Sequence, residues 1–274
     1  MSETLSGSGH GAGQSADLEG TGVLVTRPVA QAQGLCRAIE RLGGRAIPFP
    51  VLEILEPEDG GPLQRVVGAL DDYDMAIFIS ANAVNRALEA ILAQRDWPAT
   101  VEIAVIGRRS AQELEQFGLA PDICPPERFN SEALLELPQM QAVEGRRIVI
   151  FRGNGGREFL ADTLRRRGAR VDYVEAYRRA QPAADNGGLL AALRRGQIDV
   201  TLVNSEESLR NLLAMAGAEA AEILRRIPLL VVSERMLPVV RELGFRDPPL
   251  VAANATDEAV VEALRQWRAT TTAS

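Results

Sequence analysis

One phrase recurs along this chain: a short aliphatic run, a polar turn, an amphipathic helix, a glycine, and a further aliphatic run. Val23-Leu24-Val25 enters Thr26-Arg27-Pro28, a helix through Leu35, Ile39 and Leu42 follows, and Gly43-Gly44 stops it before Ala46-Ile47-Pro48-Phe49. Ala76-Ile77-Phe78-Ile79 enters Ser80-Ala81-Asn82-Ala83, and Ile103-Ala104-Val105-Ile106 enters Gly107 ahead of a helix ending at Gly118. Ile148-Val149-Ile150-Phe151 enters a glycine-rich turn from Arg152 to Arg157, with a helix closing at Gly168 and a strand from Ala169 to Val174. Val200-Thr201-Leu202-Val203 enters Asn204-Ser205, and Leu229-Leu230-Val231-Val232 enters Ser233, whose helix ends at Gly244. Glycine after the last helical turn is the expected cap. Unbroken aliphatic strands separated by amphipathic helices predict an α/β protein whose parallel sheets are covered on both faces.

Right-handed crossovers bring every strand-to-helix turn of such a sheet to one edge, and open α/β sheets bind their ligands there. Thr26, Ser80, Ser110, Arg152, Ser205 and Ser233 are the polar residues this places at the edge. Each has two readings. A Ser, Thr or Asn at a helix start caps it, for about 1 kcal/mol, and the same helix starts also take anions.

Composition then removes whole chemistries. All 30 basic residues are Arg, so a Schiff-base lysine and the lysine of a phosphate-binding P-loop are absent. The single histidine, His10, lies in a Gly/Ser-rich opening stretch expected to be disordered as far as residue 20, which leaves no histidine triad and no His-rich metal site. Cys36 and Cys124 have no paired spacing; they read as buried small hydrophobes in a reducing compartment. A net charge of -7 argues against a nucleic-acid or anionic membrane partner. The first 20 residues lack a basic start followed by an apolar run, and no later stretch approaches membrane-spanning length, so a cytoplasmic protein is expected. The Gly153-Asn154-Gly155-Gly156-Arg157 turn looks at first like a dinucleotide loop, but the third glycine of that fingerprint falls on Glu158, whose carboxylate would oppose a pyrophosphate.

Taken in order, Val25-Thr26-Arg27-Pro28 with Gln31-Ala32, Phe78-Ile79-Ser80-Ala81-Asn82-Ala83-Val84, Ala104-Val105-Ile106-Gly107, Ile150-Phe151-Arg152-Gly153 with Gly156-Arg157-Glu158, Arg167-Gly168-Ala169, and Val174-Glu175-Ala176-Tyr177-Arg178-Arg179 resemble the successive motifs of uroporphyrinogen-III synthases over residues 22–267. The resemblance implies two similar parallel-sheet, flavodoxin-like domains joined by a two-stranded connector. Domain 1 would be discontinuous, from residues 21–50 and 182–268; residues 57–175 would form domain 2, with connectors at 51–56 and 176–181. Periodicity alone allows an equally plausible split into sequential halves near Gln181. Ser233-Glu234-Arg235-Met236 departs from the family's glycine and hydroxyl pattern, and Asn204-Ser205-Glu206-Glu207-Ser208 carries two unusual acids, so Ser205 alone is carried over from that turn.

The resemblance further implies a linear tetrapyrrole substrate, hydroxymethylbilane, bound across strand-end turns of both domains and closed with inversion of its last ring through a spirocyclic intermediate. No cofactor and no metal are implied. Tyr177 is the expected catalytic residue, assisting departure of the terminal hydroxyl, because a phenol stays protonated at neutral pH and can donate; as a strand aromatic it would instead pack the hinge. Substrate contacts are implied at Thr26, Arg27, Ser80, Ala81, Asn82, Gly107, Ser110, Arg152, Gly153, Asn154, Arg157, Ser205 and Ser233. Arg27, Arg152 and Arg157 are candidate carboxylate forks, or else helix-paired surface arginines. A monomer with transient contact to hydroxymethylbilane synthase completes the expectation. Two other classes fit the same turns: a non-catalytic two-domain protein closing on an anionic small molecule, and a nucleotide-sugar transferase, although a basic diphosphate cluster is not evident.

Overall fold

Each aliphatic run becomes a strand whose alternate residues enter cores on opposite faces of a sheet. The computed structural model describes residues 17–183 and 185–272, which leaves His10 outside the described part. In chain order, β1 (Gly22–Val25), α1 (Val29–Arg41) and β2 (Arg45–Pro48) come first. They are followed by β3 (Glu53–Leu55), α2 (Gly61–Gly68), β4 (Met75–Phe78), α3 (Ala81–Leu92), β5 (Glu102–Val105), α4 (Arg108–Gln116), α5 (Ser131–Glu136), α6 (Pro138–Gln141), β6 (Arg147–Gly153), α7 (Phe159–Arg166) and β7 (Arg170–Ala180). The chain closes with α8 (Gly187–Arg194), β8 (Val200–Val203), α9 (Glu206–Leu224), β9 (Leu229–Val231), α10 (Leu237–Glu242), β10 (Leu250–Val251) and α11 (Asp257–Thr272).

Two compact units result. The first holds the described residues up to Glu53 and those from Gln181 onward; the second is Ile54–Ala180. The first unit's sheet has the order β10-β9-β8-β1-β2, with β1 parallel to both β2 and β8. From β1 the chain builds outward first to β2 and then, on the other side, to β8, β9 and β10. The order therefore reverses between β1 and β8, and open α/β sheets bind ligands at such a crossing. The second unit's sheet has the order β3-β7-β6-β4-β5, and its reversal lies between β4 and β6.

In the second unit, Ala76 and Phe78 of β4 pack with Val84, Leu88 and Leu114 of α3 and α4, while Met75 and Ile77 pack with Leu134, Met140, Leu160 and Leu164 on the other face. Phe78 stacks on Phe151 of β6 with ring centroids 5.0 Å apart. In the first unit, Leu24, Val203 and Val231 meet Leu209 and Leu212 of α9, and Val23, Val25 and Leu202 meet Leu35, Ile39, Val260 and Leu264. Burying each such side chain contributes about 1.5–3 kcal/mol, which is how strands of four residues hold.

The structure departs from the sequence reading at several points. β6 runs on through Arg152 and Gly153, which are strand rather than turn residues, and β7 continues to Ala180 instead of ending at Val174. Residues 17–20, assigned to the tail, form a turn in which Leu18 is buried and its N–H donates to the Leu42 carbonyl at 2.9 Å. Both cysteines are free but half-buried rather than buried. Burial pushes each thiol up from its ordinary range, so neither is an activated nucleophile.

Candidate functional site

The turn edge of the second unit is built around a break in the β6–β7 ladder. Pairing steps from Arg152 opposite Glu175 to Gly153 opposite Tyr177, so Ala176 is an extra residue and the strand bulges. Strict alternation would send Tyr177 to the face that Tyr173 shares with α7, but the bulge re-aims it, and Val174, Ala176 and Tyr177 all join the core of α2, α3 and α4. Gly153 accepts the ring: a Cβ there would lie 2.6 Å from Tyr177 Cζ, so only glycine fits. The phenol, 5% exposed, ends 3.1 Å from Ser80 Oγ. Ser80 in turn caps α3, its Oγ accepting from the Ala83 N–H at 3.1 Å, and Ala81 and Asn82 form the first turn of that helix. Ser80, Gly153 and Tyr177 thus meet at the β4–β6 crossing.

The neighbouring polar residues are committed to the turn itself. Asn154 Oδ1 accepts from the Arg179 N–H at 2.7 Å, and its own N–H donates to the Tyr177 carbonyl at 3.1 Å, clamping the end of β6 to β7. Arg152 is buried, and each of its three nitrogens is partnered internally: Nε with the Gly153 carbonyl, one terminal nitrogen with Glu158 at 2.9 Å, the other with the Gly155 carbonyl. Its guanidinium also lies 4.5 Å from the Tyr173 ring centre. Glu158, which fails the dinucleotide fingerprint, is thereby the residue that closes the glycine-rich turn. Arg157 points outward, paired with Glu132 at 2.8 Å. Gly107 caps α4 in extended backbone against Phe129, and Ser110 lies buried in the first turn of that helix.

In the first unit the crossing is tied shut by side chains. Thr26 Oγ1 donates to the Leu202 carbonyl at 2.7 Å, linking the ends of β1 and β8. Arg27 is buried, with Nε on Asn204 Oδ1 at 3.4 Å, one terminal nitrogen on the Ala255 carbonyl at 3.0 Å and the other paired with Asp257. Ser205 caps α9 through the Ser208 N–H at 3.1 Å. Ser233 caps a single 3-10 turn, and Met236 beyond it is buried in the core. Of the three candidate forks, only Arg157 is exposed. Asn204 and Asp257, the partners that hold Arg27, were not singled out in the sequence, and neither were the exposed Arg108 and Arg109 at the start of α4. The doublet directly after Gly107 was the available signal for the latter. Among the described residues no cluster of His, Cys, Asp and Glu could hold a metal ion, and no helix is long and apolar enough to cross a membrane.

Two parallel sheets, each with its polar turns gathered at a reversal of strand order, define a two-unit α/β protein of the kind that binds ligands at strand ends. Comparison with known proteins gives the class its name. A family model described as uroporphyrinogen-III synthase HemD matches residues 33–262. Uroporphyrinogen-III synthase of Escherichia coli K12 is 35% identical over 89% of this chain and 99% of its own length, and that of Salmonella typhimurium LT2 is 34% identical over the same shares. A mutant uroporphyrinogen III synthase of the extreme thermophile Thermus thermophilus superimposes with a TM-score of 0.62 at 22% identity, covering 93% of this chain and 100% of that one. The Helicobacter pylori 26695 synthetase gives 0.55 at 12% identity over 90% and 99%. At those identities the two structures speak for the fold alone. The chain belongs to the uroporphyrinogen-III synthase family, whose members are cyclising lyases.

Proposed function

We propose that this protein cyclises hydroxymethylbilane with inversion of its terminal ring, giving uroporphyrinogen III and water in tetrapyrrole biosynthesis. The observation that carries the reading is identity at 35% over nearly the whole length of a uroporphyrinogen-III synthase, and Tyr177 at the strand-end edge supports it. In this account Tyr177 protonates the terminal hydroxyl as its C–O bond breaks, and water leaves. The resulting azafulvene is attacked by the substituted carbon of the last pyrrole, and the spirocyclic intermediate fragments and recloses with that ring turned over. A proton lost on rearomatisation balances the one given to the leaving group.

Such a reaction asks chiefly for conformational control, and holding a flexible chain in one reactive geometry can contribute about 7–11 kcal/mol. The substrate's carboxylates find suitable donors in the backbone N–H groups at the starts of α3, by Ala81 and Asn82, and of α4, by Gly107. Arg157, Arg108 and Arg109 stand exposed to add charge there. Thr26, Arg27, Ser110, Arg152 and Asn154 shape the turns, and Ser205 and Ser233 fix the corresponding helix starts of the first unit. Action as a cytoplasmic monomer, receiving substrate from hydroxymethylbilane synthase, completes the proposal.

The test is the product isomer. Purified protein given hydroxymethylbilane is expected to yield the type III macrocycle faster than buffer closes it. A protein that binds the substrate yet leaves only the type I macrocycle formed by spontaneous closure would be the anion-binding protein instead.

A further inference from the structure

The reading of Tyr177 as proton donor leaves open what stabilises its oxygen once the proton is gone. Ser80 Oγ lies 3.1 Å from the phenol oxygen and at the same time accepts from the Ala83 N–H at 3.1 Å. A serine hydroxyl has one proton to give. One lone pair of its oxygen takes the Ala83 N–H, and either hydroxyl of the Ser80–Tyr177 pair can be the donor; in the arrangement with the Ser80 proton on the phenol oxygen, the Tyr177 proton is free for a leaving group. Gly153 packs against one side of the ring, so closely that an added Cβ would stand 2.6 Å from Cζ and 3.0 Å from the hydroxyl. The bulge at Ala176 is what turns the phenol toward α3.

We propose that Ser80 is a positioning residue for the cyclisation: it couples the positive end of α3 to Tyr177 through a chain running from the Ala83 N–H to Ser80 Oγ, then from the Ser80 hydroxyl to the phenol oxygen. The proposal rests on the functional reading above and deepens it. As the C–O bond of the substrate breaks, its electron pair leaves with the hydroxyl oxygen, which takes the Tyr177 proton and departs as water. Negative charge appears on the phenol oxygen, and the Ser80 O–H, polarised by the helix start, meets it. A hydrogen bond to a charged oxygen is stronger than one to a neutral oxygen, so the chain favours the transition state over the bound substrate and acts on kcat more than on KM. Ser80 keeps its own proton throughout. It does not replace Tyr177 as the proton donor.

Steady-state kinetics of the full-length protein on hydroxymethylbilane test this. Ser80→Ala is expected to lower kcat roughly 10- to 100-fold, with KM changed by less than about twofold, because a hydrogen bond to a developing charge is lost. Ser80→Gly is expected to lose as much, although glycine keeps most of the helix-start stability that alanine forfeits, and Ser80→Thr, which retains the hydroxyl, is expected to recover most of the rate. In a Tyr177→Phe background Ser80→Ala is expected to add nothing, since both changes remove one interaction. Three results would overturn the proposal: losses that multiply in the double variant, a glycine variant at wild-type kcat beside a crippled alanine variant, or an effect confined to KM. Wild-type turnover by Tyr177→Phe would remove the phenol and the chain together. Failure of the functional reading itself would show earlier, as a type I product from the unaltered protein.

Discussion

Tyr73 and Tyr177 stand at opposite ends of one sheet and put a phenol to different uses. Tyr73 precedes β4, donates to Asp172 Oδ2 at 2.8 Å and lies under the Arg147 guanidinium, 4.4 Å from its ring centre. Burial, and then the bond to the Asp172 carboxylate, push its pKa up to about 12. In the unfolded chain a tyrosine ionises near 10, so the fold holds this proton more tightly than the open chain does. The stabilisation is whole below that pH, falls as pH climbs toward 12, and amounts to about 2–3 kcal/mol for a shift of that size. Denaturant titrations between about pH 9 and 12 should show wild-type stability falling more steeply than that of Tyr73→Phe; parallel slopes would deny Tyr73 the role. The arginines show why such partnerships escape a reading of the sequence. Arg27 and Arg152 look like open forks because each follows an apolar run, yet Arg27 is paired with Asp257, 230 positions away. Arg152 is enclosed by its own turn. The serine caps were legible, since an N-cap needs only the residues beside it.

At the scale of elements, the central strands were open to reading because both faces are apolar and helices flank them: Leu24, Ile77, Ile150, Leu202 and Leu230 are all fully buried in strands. The short α5 and α6 carry too few turns to show a period, and the bulge at Ala176 leaves no mark, because Val174-Glu175-Ala176-Tyr177 alternates well enough to pass for a regular strand. α9 hides a second irregularity. Gly217 within it has φ 76° and ψ 169°, a region essentially confined to glycine, and the Asn186 side chain donates to the Ala216 carbonyl at 2.8 Å beside the break. Helix propensity says that Gly217→Ala should gain about 1 kcal/mol. The observed backbone reverses the sign, and a loss of about 1–3 kcal/mol is expected. Urea unfolding of the variant decides between them: a raised midpoint would mean that α9 is an unbroken helix.

For the whole molecule, the sequence announces repeated strand-turn-helix units but not which strands share a sheet. β1 pairs with β8 across a gap that the Thr26–Leu202 bond measures as 176 positions, and no periodicity reaches that far. The same holds for chemistry. What the chain lacks in lysine and histidine could be read from composition, whereas the meeting of Ser80, Gly153 and Tyr177 needed the fold. In the proposed account the lyase works by posture: helix starts and arginines would hold a polyanion, one phenol would release its hydroxyl, and the geometry would choose which carbon attacks. Hydroxymethylbilane carrying a carbon-isotope label in its last ring, turned over by the purified protein and read by NMR, examines that choice directly. The predicted product is a macrocycle in which the labelled ring has its acetate and propionate order reversed relative to the other three. A product in which the labelled ring keeps the order of its neighbours would contradict it.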